Sequence, residues 1–383
     1  MIKLLTVIGA RPQFIKAAAI SRVIKETYQD QLEEVIVHTG QHYDPKMSEV
    51  FFEELKVPRE KYNLQIGSAG HAVQTASMMI KLDEIVAKEQ PNAILLYGDT
   101  NSTLAACLVG IKLHLPIIHI EGGVRSYNKK FPEEVNRLIC DHMSSLVFVP
   151  SDDGMRGLKK EGFELDEISG KATADQPAVY RCGDIMYDNT LYFKELADER
   201  ANDFFESNQL PAEQYILGTL HRPSNVDDPQ ALKRILKAFN SIIATEDRAI
   251  ILPLHPRTRS KIDAEPELEA LLANPQLFVI EPASFIEMTI LESHADLVIT
   301  DSGGVQKEAF FHEKPCAIML EETPWVELIA TNAAFLVGND DQLICSKVHE
   351  LLNPTAPLSF PPLYGKGDAA KFICEKIITH LRP

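Results

Sequence analysis

The chain has 383 residues, 45% of them hydrophobic and 24% charged, a globular composition that at roughly 100–200 residues per domain implies two domains. Its 38 basic against 55 acidic residues give a net charge of −17, which argues against nucleic acid and anionic membrane as general partners. No apolar run approaches the ~20 residues of a membrane span, and the opening Met1-Ile2-Lys3-Leu4-Leu5 reads as a strand rather than a signal peptide, so a soluble, cytoplasmic protein is expected.

Short apolar, β-rich runs alternate with helical patterns from the start. Leu4–Ile8, Val35–His38, Ala93–Tyr97, Pro116–Ile120 and Leu146–Val149 read as strands, with helical spacing over Phe14–Lys25 and Gln74–Lys88 between them. Apolar strands flanked by helices predict βαβ units around a buried parallel sheet. A polar, irregular stretch from Ser151 to Val179 precedes one more short strand, Tyr180–Gly183, and Tyr187–Ser207 is helical by pattern. A second series follows: Tyr215–Leu220, Ala249–Leu254, Leu277–Ile280, Leu297–Thr300 and Ala317–Leu320, with helices such as Asp228–Ile243 and Gly304–Phe311. The expected fold class is α/β, with two Rossmann-like doubly wound domains, 1–185 and 186–367, and a cleft between them. The last helix, 368–383, is expected to pack back on the first domain. The six cysteines are widely spread, with no C-x-x-C pair and no ligand-like spacing with histidine. They read as reduced thiols, and no metal site is expected.

In open parallel sheets, ligands bind beyond the carboxyl ends of the strands. Polar or glycine-bearing strings stand at such ends in both halves: Gly9-Ala10-Arg11-Pro12, His38-Thr39-Gly40-Gln41-His42, Gly98-Asp99-Thr100, Glu121-Gly122-Gly123, His221-Arg222, His255-Pro256-Arg257 and Asp301-Ser302-Gly303-Gly304. The last of these follows a strand and opens a helix. Its glycines let a ligand approach the backbone, and the free N–H groups of a helix N-terminus suit a diphosphate. Glu308, about one turn in, can accept hydrogen bonds from ribose hydroxyls; the alternative reading is a capped helix with a glycine turn. The string Gly365-Lys366-Gly367-Asp368-Ala369-Ala370 does not follow a strand in a βαβ unit, so it fails as a nicotinamide fingerprint and no cofactor is expected. Phosphates would then be held by Ser302, Gly303 and Gly304, by Arg11, Arg137, Arg222 and His255, and by the nearby Arg257 and Arg259.

The carboxylates carry a more specific signal. Asp99 and Glu121 end consecutive strand runs, while Glu133 and Glu134 open a helix behind Pro132. One of that last pair is explained as an acidic residue in a helix's first turn. If the two strands are neighbours, Asp99 and Glu121 lie within one or two strand spacings of ~4.8 Å. They could place an acid and a base on opposite faces of a sugar ring, or equally form an ion-pair network with Arg137.

With Asn101-Ser102-Thr103, His119-Ile120, Val124-Arg125, Pro132-Glu133-Glu134-Val135-Asn136-Arg137 and Val305-Gln306 added in order, essentially the whole chain resembles the non-hydrolysing UDP-N-acetylglucosamine 2-epimerase family. The resemblance implies the GT-B-like fold, a UDP-sugar substrate, a homodimer and a role in bacterial surface polysaccharide synthesis. It also implies a reaction. A base removes the C2 proton as UDP leaves C1, giving a 2-acetamidoglucal, which is re-protonated on its other face before UDP adds back. Carried over position by position, Asp99, Glu121 and Glu133 are the acid/base candidates. His221 would meet the leaving diphosphate with Arg11 and Ser302-Gly303-Gly304, and Glu308 would hold the ribose.

The chain departs from typical members at Ala10 and Gln13, at Tyr43, at Pro223-Ser224 and at Trp325-Val326-Glu327. Tyr43 and Pro223 fall on motifs that bind an activating second UDP-N-acetylglucosamine, so that activation is not expected. These variants look more like the branch acting on UDP-2,3-diacetamido-2,3-dideoxyglucuronate. Lys16, Lys129 and Lys130 are candidates for its extra carboxylate. Competing readings are a GT-B glycosyltransferase, which would need the nucleotide site but not the carboxylate trio, a hydrolysing epimerase that releases UDP and free sugar, and a non-catalytic nucleotide-sugar binder.

Overall fold

The computed structural model describes residues 1–40, 58–166, 168 and 170–382; Gln41, His42 and Tyr43 lie outside the described residues. Two compact units divide the chain: Met1–Asn189 together with the C-terminal stretch from Pro362, and Thr190–Pro361.

Among the described residues, the first unit is built on β1 (Ile2–Ile8), β2 (Leu32–His38), β3 (Tyr62–Asn63), β4 (Ala93–Tyr97), β5 (Ile117–Ile120), β6 (Leu146–Val149) and β7 (Ala178–Arg181). All pair in parallel, in the order β3-β2-β1-β4-β5-β6-β7. β1 is buried at every position but Lys3, as a strand covered on both faces must be, so its apolar residues run on without alternating. Leu5, Val7, Leu96 and Ile117 pack with Met78, Leu82 and Ala105 from the helices His71–Glu89 and Asn101–Lys112. Each of the larger ones, the valine, leucines, isoleucine and methionine, contributes about 1.5–3 kcal/mol on burial.

The chain winds outward from β1 to β3, then returns to β4 on the other side of β1. That reversal is the topological switch point, where the connections on either side diverge and leave room for a ligand. Val7 pairs with Leu96, so Gly9-Ala10-Arg11 and Gly98-Asp99 emerge from neighbouring strands. The second sheet repeats the plan with β8 (Tyr215–Thr219), β9 (Ala249–Pro253), β10 (Leu277–Ile280), β11 (Leu297–Thr300), β12 (Cys316–Ile318) and β13 (Ala334–Leu336), in the order β10-β9-β8-β11-β12-β13. Here Thr219 pairs with Thr300, which sets His221-Arg222 beside Asp301-Ser302.

The stretch expected to be irregular contains a helix, Asp152–Lys160, capped by Ser151 and carrying Asp152 and Asp153 in its first turn and Lys159 and Lys160 in its last. Gly154 and Gly157 hide its pattern in the sequence. In the fold they make the face that meets the turn after β5: a Cβ on Gly123 would lie 2.7 Å from the Gly154 carbonyl. A second close approach occurs at Gly9, where a Cβ would collide with the hydroxyls of Ser102 and Thr39, themselves hydrogen-bonded at 2.8 Å.

The C-terminal helix Ala369–Leu381 packs against the helix Arg11–Val23. Its first N–H groups, Ala369 and Ala370, donate to Asp188 at 3.2 and 2.8 Å. Burial, with Asp184 and Asp368 nearby, pushes the Asp188 carboxyl up to about 6, although the two N–H donors pull the other way. A carboxyl raised in the folded state stabilises below its ordinary value of about 3.9 and loses that contribution as pH rises through the folded value. Wild type should therefore lose up to about 3 kcal/mol relative to Asp188→Asn between roughly pH 4 and pH 7. Parallel melting curves across that range check it, and a constant difference in Tm would contradict it.

Candidate active site

The turns after β1 and β4 are joined by one amide. Gln13 Oε1 accepts from the N–H groups of Gly9 and Ala10 at 2.8 and 3.0 Å, while Nε2 donates to the Tyr97 carbonyl at 2.8 Å and to the Thr103 hydroxyl at 3.0 Å. Arg11 begins the helix beside this joint and is half-buried. Tyr97 and Ile120 are register partners, so Asp99 and Glu121 do stand at the ends of neighbouring strands. A Cβ on Gly98 would lie 3.2 Å from Glu121 Oε2 and 3.6 Å from Lys16 Nζ.

Both carboxylates are engaged. Glu121 is paired with Lys16, and the two side chains are only 13% and 10% exposed. Lys16 thus reaches the strand ends, but its charge is committed to a carboxylate of this chain. Asp99 pairs with Arg137 while remaining 27% exposed, an open-sided carboxylate rather than a sealed bridge. Asn136 Nδ2 donates to the Asp99 carbonyl at 2.8 Å. Arg137, read from the sequence as a diphosphate ligand, is held in the first unit by Asp99 and by Glu134 at 3.3 Å. Glu134 is the structural member of its pair: it is buried and accepts from Ser126 N, Ser126 Oγ and Tyr127 N at 2.8, 3.0 and 2.9 Å. Glu133 beside it is exposed, as are Lys129 and Lys130.

In the second unit the organising group is Asp301, fully buried at the end of β11. Its carboxylate accepts from His221 N at 3.1 Å, Arg222 N at 2.9 Å and Asn225 Nδ2 at 3.2 Å, and lies 2.9 Å from His221 Nδ1. The imidazole is thus held against the acid by its Nδ1 edge, with the Nε2 edge turned away from it. The Asp301 carbonyl also accepts from Arg222 Nε at 3.3 Å. One buried acid thus sets a histidine and an arginine beside the N-terminus of the helix Gly303–Phe311, which Ser302 caps. A Cβ on Gly303 would lie 3.7 Å from Arg222 Nη2, and one on Gly304 3.8 Å from Glu308 Oε2. Trp325 supports this turn, donating from Nε1 to the Gly303 carbonyl at 3.0 Å, with the Lys307 ammonium 3.8 Å from its ring centre. Behind Glu308 lies Glu292, whose carboxyl is pushed up by burial and then by the charge of Glu308.

Other strand-end residues have local employment. His255 caps the helix Pro256–Asp263 by accepting from Arg257 N at 3.2 Å. Arg257 pairs with Asp227 at 2.5 Å, and Arg259 with Glu269 and Asp263 at 2.9 and 2.8 Å. Pro223, one of the variant positions, opens the short helix Pro223–Val226 and is exposed. The sequence reading named Asp301 within its motif but assigned it no task, and Gln13 only as a motif variant. The usable signal was a polar residue directly after an apolar strand and next to glycines or a helix start.

Comparison with known proteins identifies the family. The family model described as UDP-N-acetylglucosamine 2-epimerase matches residues 25–378. A Pseudomonas aeruginosa protein, UDP-2,3-diacetamido-2,3-dideoxy-D-glucuronate 2-epimerase, is 43% identical over 97% of this chain and 98% of its own length. The crystal structure of Methanocaldococcus jannaschii UDP-GlcNAc 2-epimerase in complex with UDP-GlcNAc and UDP superposes with a TM-score of 0.86 at 35% identity, covering 99% of this chain and all of the other. The Neisseria meningitidis enzyme bound to UDP-GlcNAc gives 0.84 at 25% identity over 99% and 100%. Among the described residues no helix is long and apolar enough to cross a membrane. With two parallel, doubly wound sheets of the GT-B type, this chain belongs to the UDP-N-acetylglucosamine 2-epimerase family and is an isomerase.

Proposed function

We propose that this protein inverts C2 of UDP-2,3-diacetamido-2,3-dideoxyglucuronate by elimination and re-addition of UDP, supplying a precursor of bacterial surface polysaccharide. The observation that carries the chemistry is the pair Asp99 and Glu121 on neighbouring strand ends. They, with Glu133, serve as acid and base in the first unit. His221, Arg222, Arg11 and Ser302-Gly303-Gly304 take the diphosphate, and Glu308 takes the ribose.

The C2 hydrogen is not next to a carbonyl, so deprotonation alone is too hard. A carboxylate takes the C2 proton while the C1–O bond breaks and its electron pair departs with UDP, leaving a C1–C2 double bond. A second carboxyl protonates C2 from the opposite face, and the diphosphate oxygen re-forms the bond to C1. No atom is lost or gained overall. Donors aimed at the diphosphate stabilise the charge that grows on it as the bond breaks.

The substrate reading is supported by the higher identity to the diacetamidoglucuronate enzyme, 43% against 35% and 25% for the two enzymes solved with UDP-GlcNAc, and by the variants at Ala10, Pro223 and Trp325. We read Lys129 and Lys130 as partners of the sugar carboxylate, since Lys16 is committed to Glu121. A homodimer in the cytoplasm, where UDP-sugars are made, completes the proposal.

Incubation with each UDP-sugar in D2O, followed by proton NMR, tests it. Deuterium should enter C2 of the product and, on reversal, of the substrate, with no net release of UDP. A site that pairs a carboxylate discriminates against substrates lacking one, so kcat/KM should favour the diacetamido uronic acid over UDP-GlcNAc by at least about two orders of magnitude. Equal rates would return the protein to the plain 2-epimerases. Stoichiometric UDP with free sugar would make it a hydrolysing enzyme, and acceptor-dependent release a glycosyltransferase.

A further inference from the structure

The two turns that carry Asp99 and Glu121 converge on a side chain that has no part in the chemistry above. His119 lies in β5, two residues before Glu121, and is fully buried. Its Nε2 is 2.7 Å from the Gly98 carbonyl oxygen and its Nδ1 is 2.6 Å from Asp141 Oδ1. A carbonyl oxygen can only accept a hydrogen bond, and so can a carboxylate.

Asp141 is held as a carboxylate by the donors that face its other oxygen. Its second oxygen accepts from Gly123 N at 2.9 Å and pairs with Arg125 at 2.7 Å. Arg125 in turn forks onto Glu161 at 2.7 and 2.9 Å. With an acceptor at each end, a ring bearing a proton on both nitrogens is the form that completes both hydrogen bonds.

The consequence is geometric. Gly98 precedes Asp99, and Gly122-Gly123 follow Glu121. One buried network, from the Gly98 carbonyl through His119 and Asp141 to the Gly123 N–H, therefore ties the β4 turn to the β5 turn. The backbone it holds would not hold itself. Gly98, Glu121 and Gly123 all have positive φ, at 62°, 70° and 76°, and for a glutamate that conformation persists only where the surroundings impose it. The fit at Asp141 is tight: a Cβ on Gly122 would lie 2.7 Å from Asp141 Oδ1 and collide with Val147.

We infer that His119 is a positioning residue, an imidazolium fixed between Asp141 and the Gly98 carbonyl that sets the spacing of the Asp99 and Glu121 turns. This rests on reading those two carboxylates as the acid/base pair. The group acts through them and touches no substrate.

The test has two independent arms. In wild-type protein with 15N-labelled histidine at neutral pH, one ring should show both nitrogens protonated, coupled to protons that exchange slowly with water, and His119→Gln should remove that ring's signals. A His119 ring with one bare nitrogen would overturn the proposal without any variant having to fold. In the second arm, His119→Gln should lower kcat by about 10- to 100-fold, as expected for a displaced catalytic geometry, with KM and UDP affinity unchanged. In an Asp99→Asn background the same substitution should cost little more. Wild-type kcat in His119→Gln, or an equal further loss in the Asp99→Asn background, would refute positioning. Full activity of Asp99→Asn alone would instead refute the acid/base reading, while the doubly protonated ring would still stand.

Discussion

Asp99→Asn is expected to lower kcat by roughly 10²–10⁴-fold, the usual contribution of a general acid or base, while leaving UDP affinity and Tm almost unchanged. The amide keeps the shape of the carboxylate, and Arg137 retains Glu134 as a partner, so the fold has little reason to respond. Glu121→Gln should lose turnover by the same order but also stability. Lys16 is only 10% exposed, and stripping a nearly buried ammonium of its carboxylate typically costs about 3–5 kcal/mol. Glu133→Gln, on an exposed side chain, should change turnover alone. Steady-state kinetics with calorimetric melting on the three variants separates these outcomes. An unaltered kcat in Asp99→Asn would leave its pairing with Arg137 as a purely structural ion pair.

Asp301→Ala is expected to weaken UDP binding by at least about 100-fold, or roughly 2.7 kcal/mol. The carboxylate serves the backbone N–H groups of His221 and Arg222 together with Asn225 and the His221 ring. A buried donor left without an acceptor costs about 1–3 kcal/mol, and relief comes only if the turn moves, taking His221 and Arg222 with it. Asp301→Asn keeps one acceptor oxygen and should fall between the two. Isothermal titration with UDP checks the order. Wild-type affinity in Asp301→Ala would show that the turn holds its shape without the acid and would remove Asp301 from the diphosphate site.

Much of the fold was legible because many of its strands are apolar runs of four or five residues bounded by polar strings, as in Ala93–Tyr97 and Leu297–Thr300. Parallel winding followed from the helices between them. What escaped detection did so for identifiable reasons. The helix Asp152–Lys160 owes its packing face to glycines, which count against a helix in any pattern. Edge strands of two and three residues, Tyr62–Asn63 and Ala334–Leu336, are too short to carry a period.

At the site, residue type announced the carboxylates and the glycine turn but not their partners. Arg137 looked like a phosphate ligand because a guanidinium suits any oxyanion, and only the fold shows that the anions nearest it are Asp99 and Glu134. Gln13 reaches a carbonyl 84 positions away and His119 an acid 22 positions away, pairings that local spacing cannot reveal.

The chain has a single tryptophan, and it is Trp325, whose indole N–H is bound to the first residue of the Gly303–Phe311 helix and whose ring faces a lysine ammonium. An indole excited state carries a large dipole, so its emission responds to nearby charge. Any anion arriving at that helix N-terminus brings negative charge close to the ring and competes for the field of Lys307. The protein thus carries one optical probe fixed to one turn, with no second indole to dilute it, and occupancy of the turn can be followed in real time without a label.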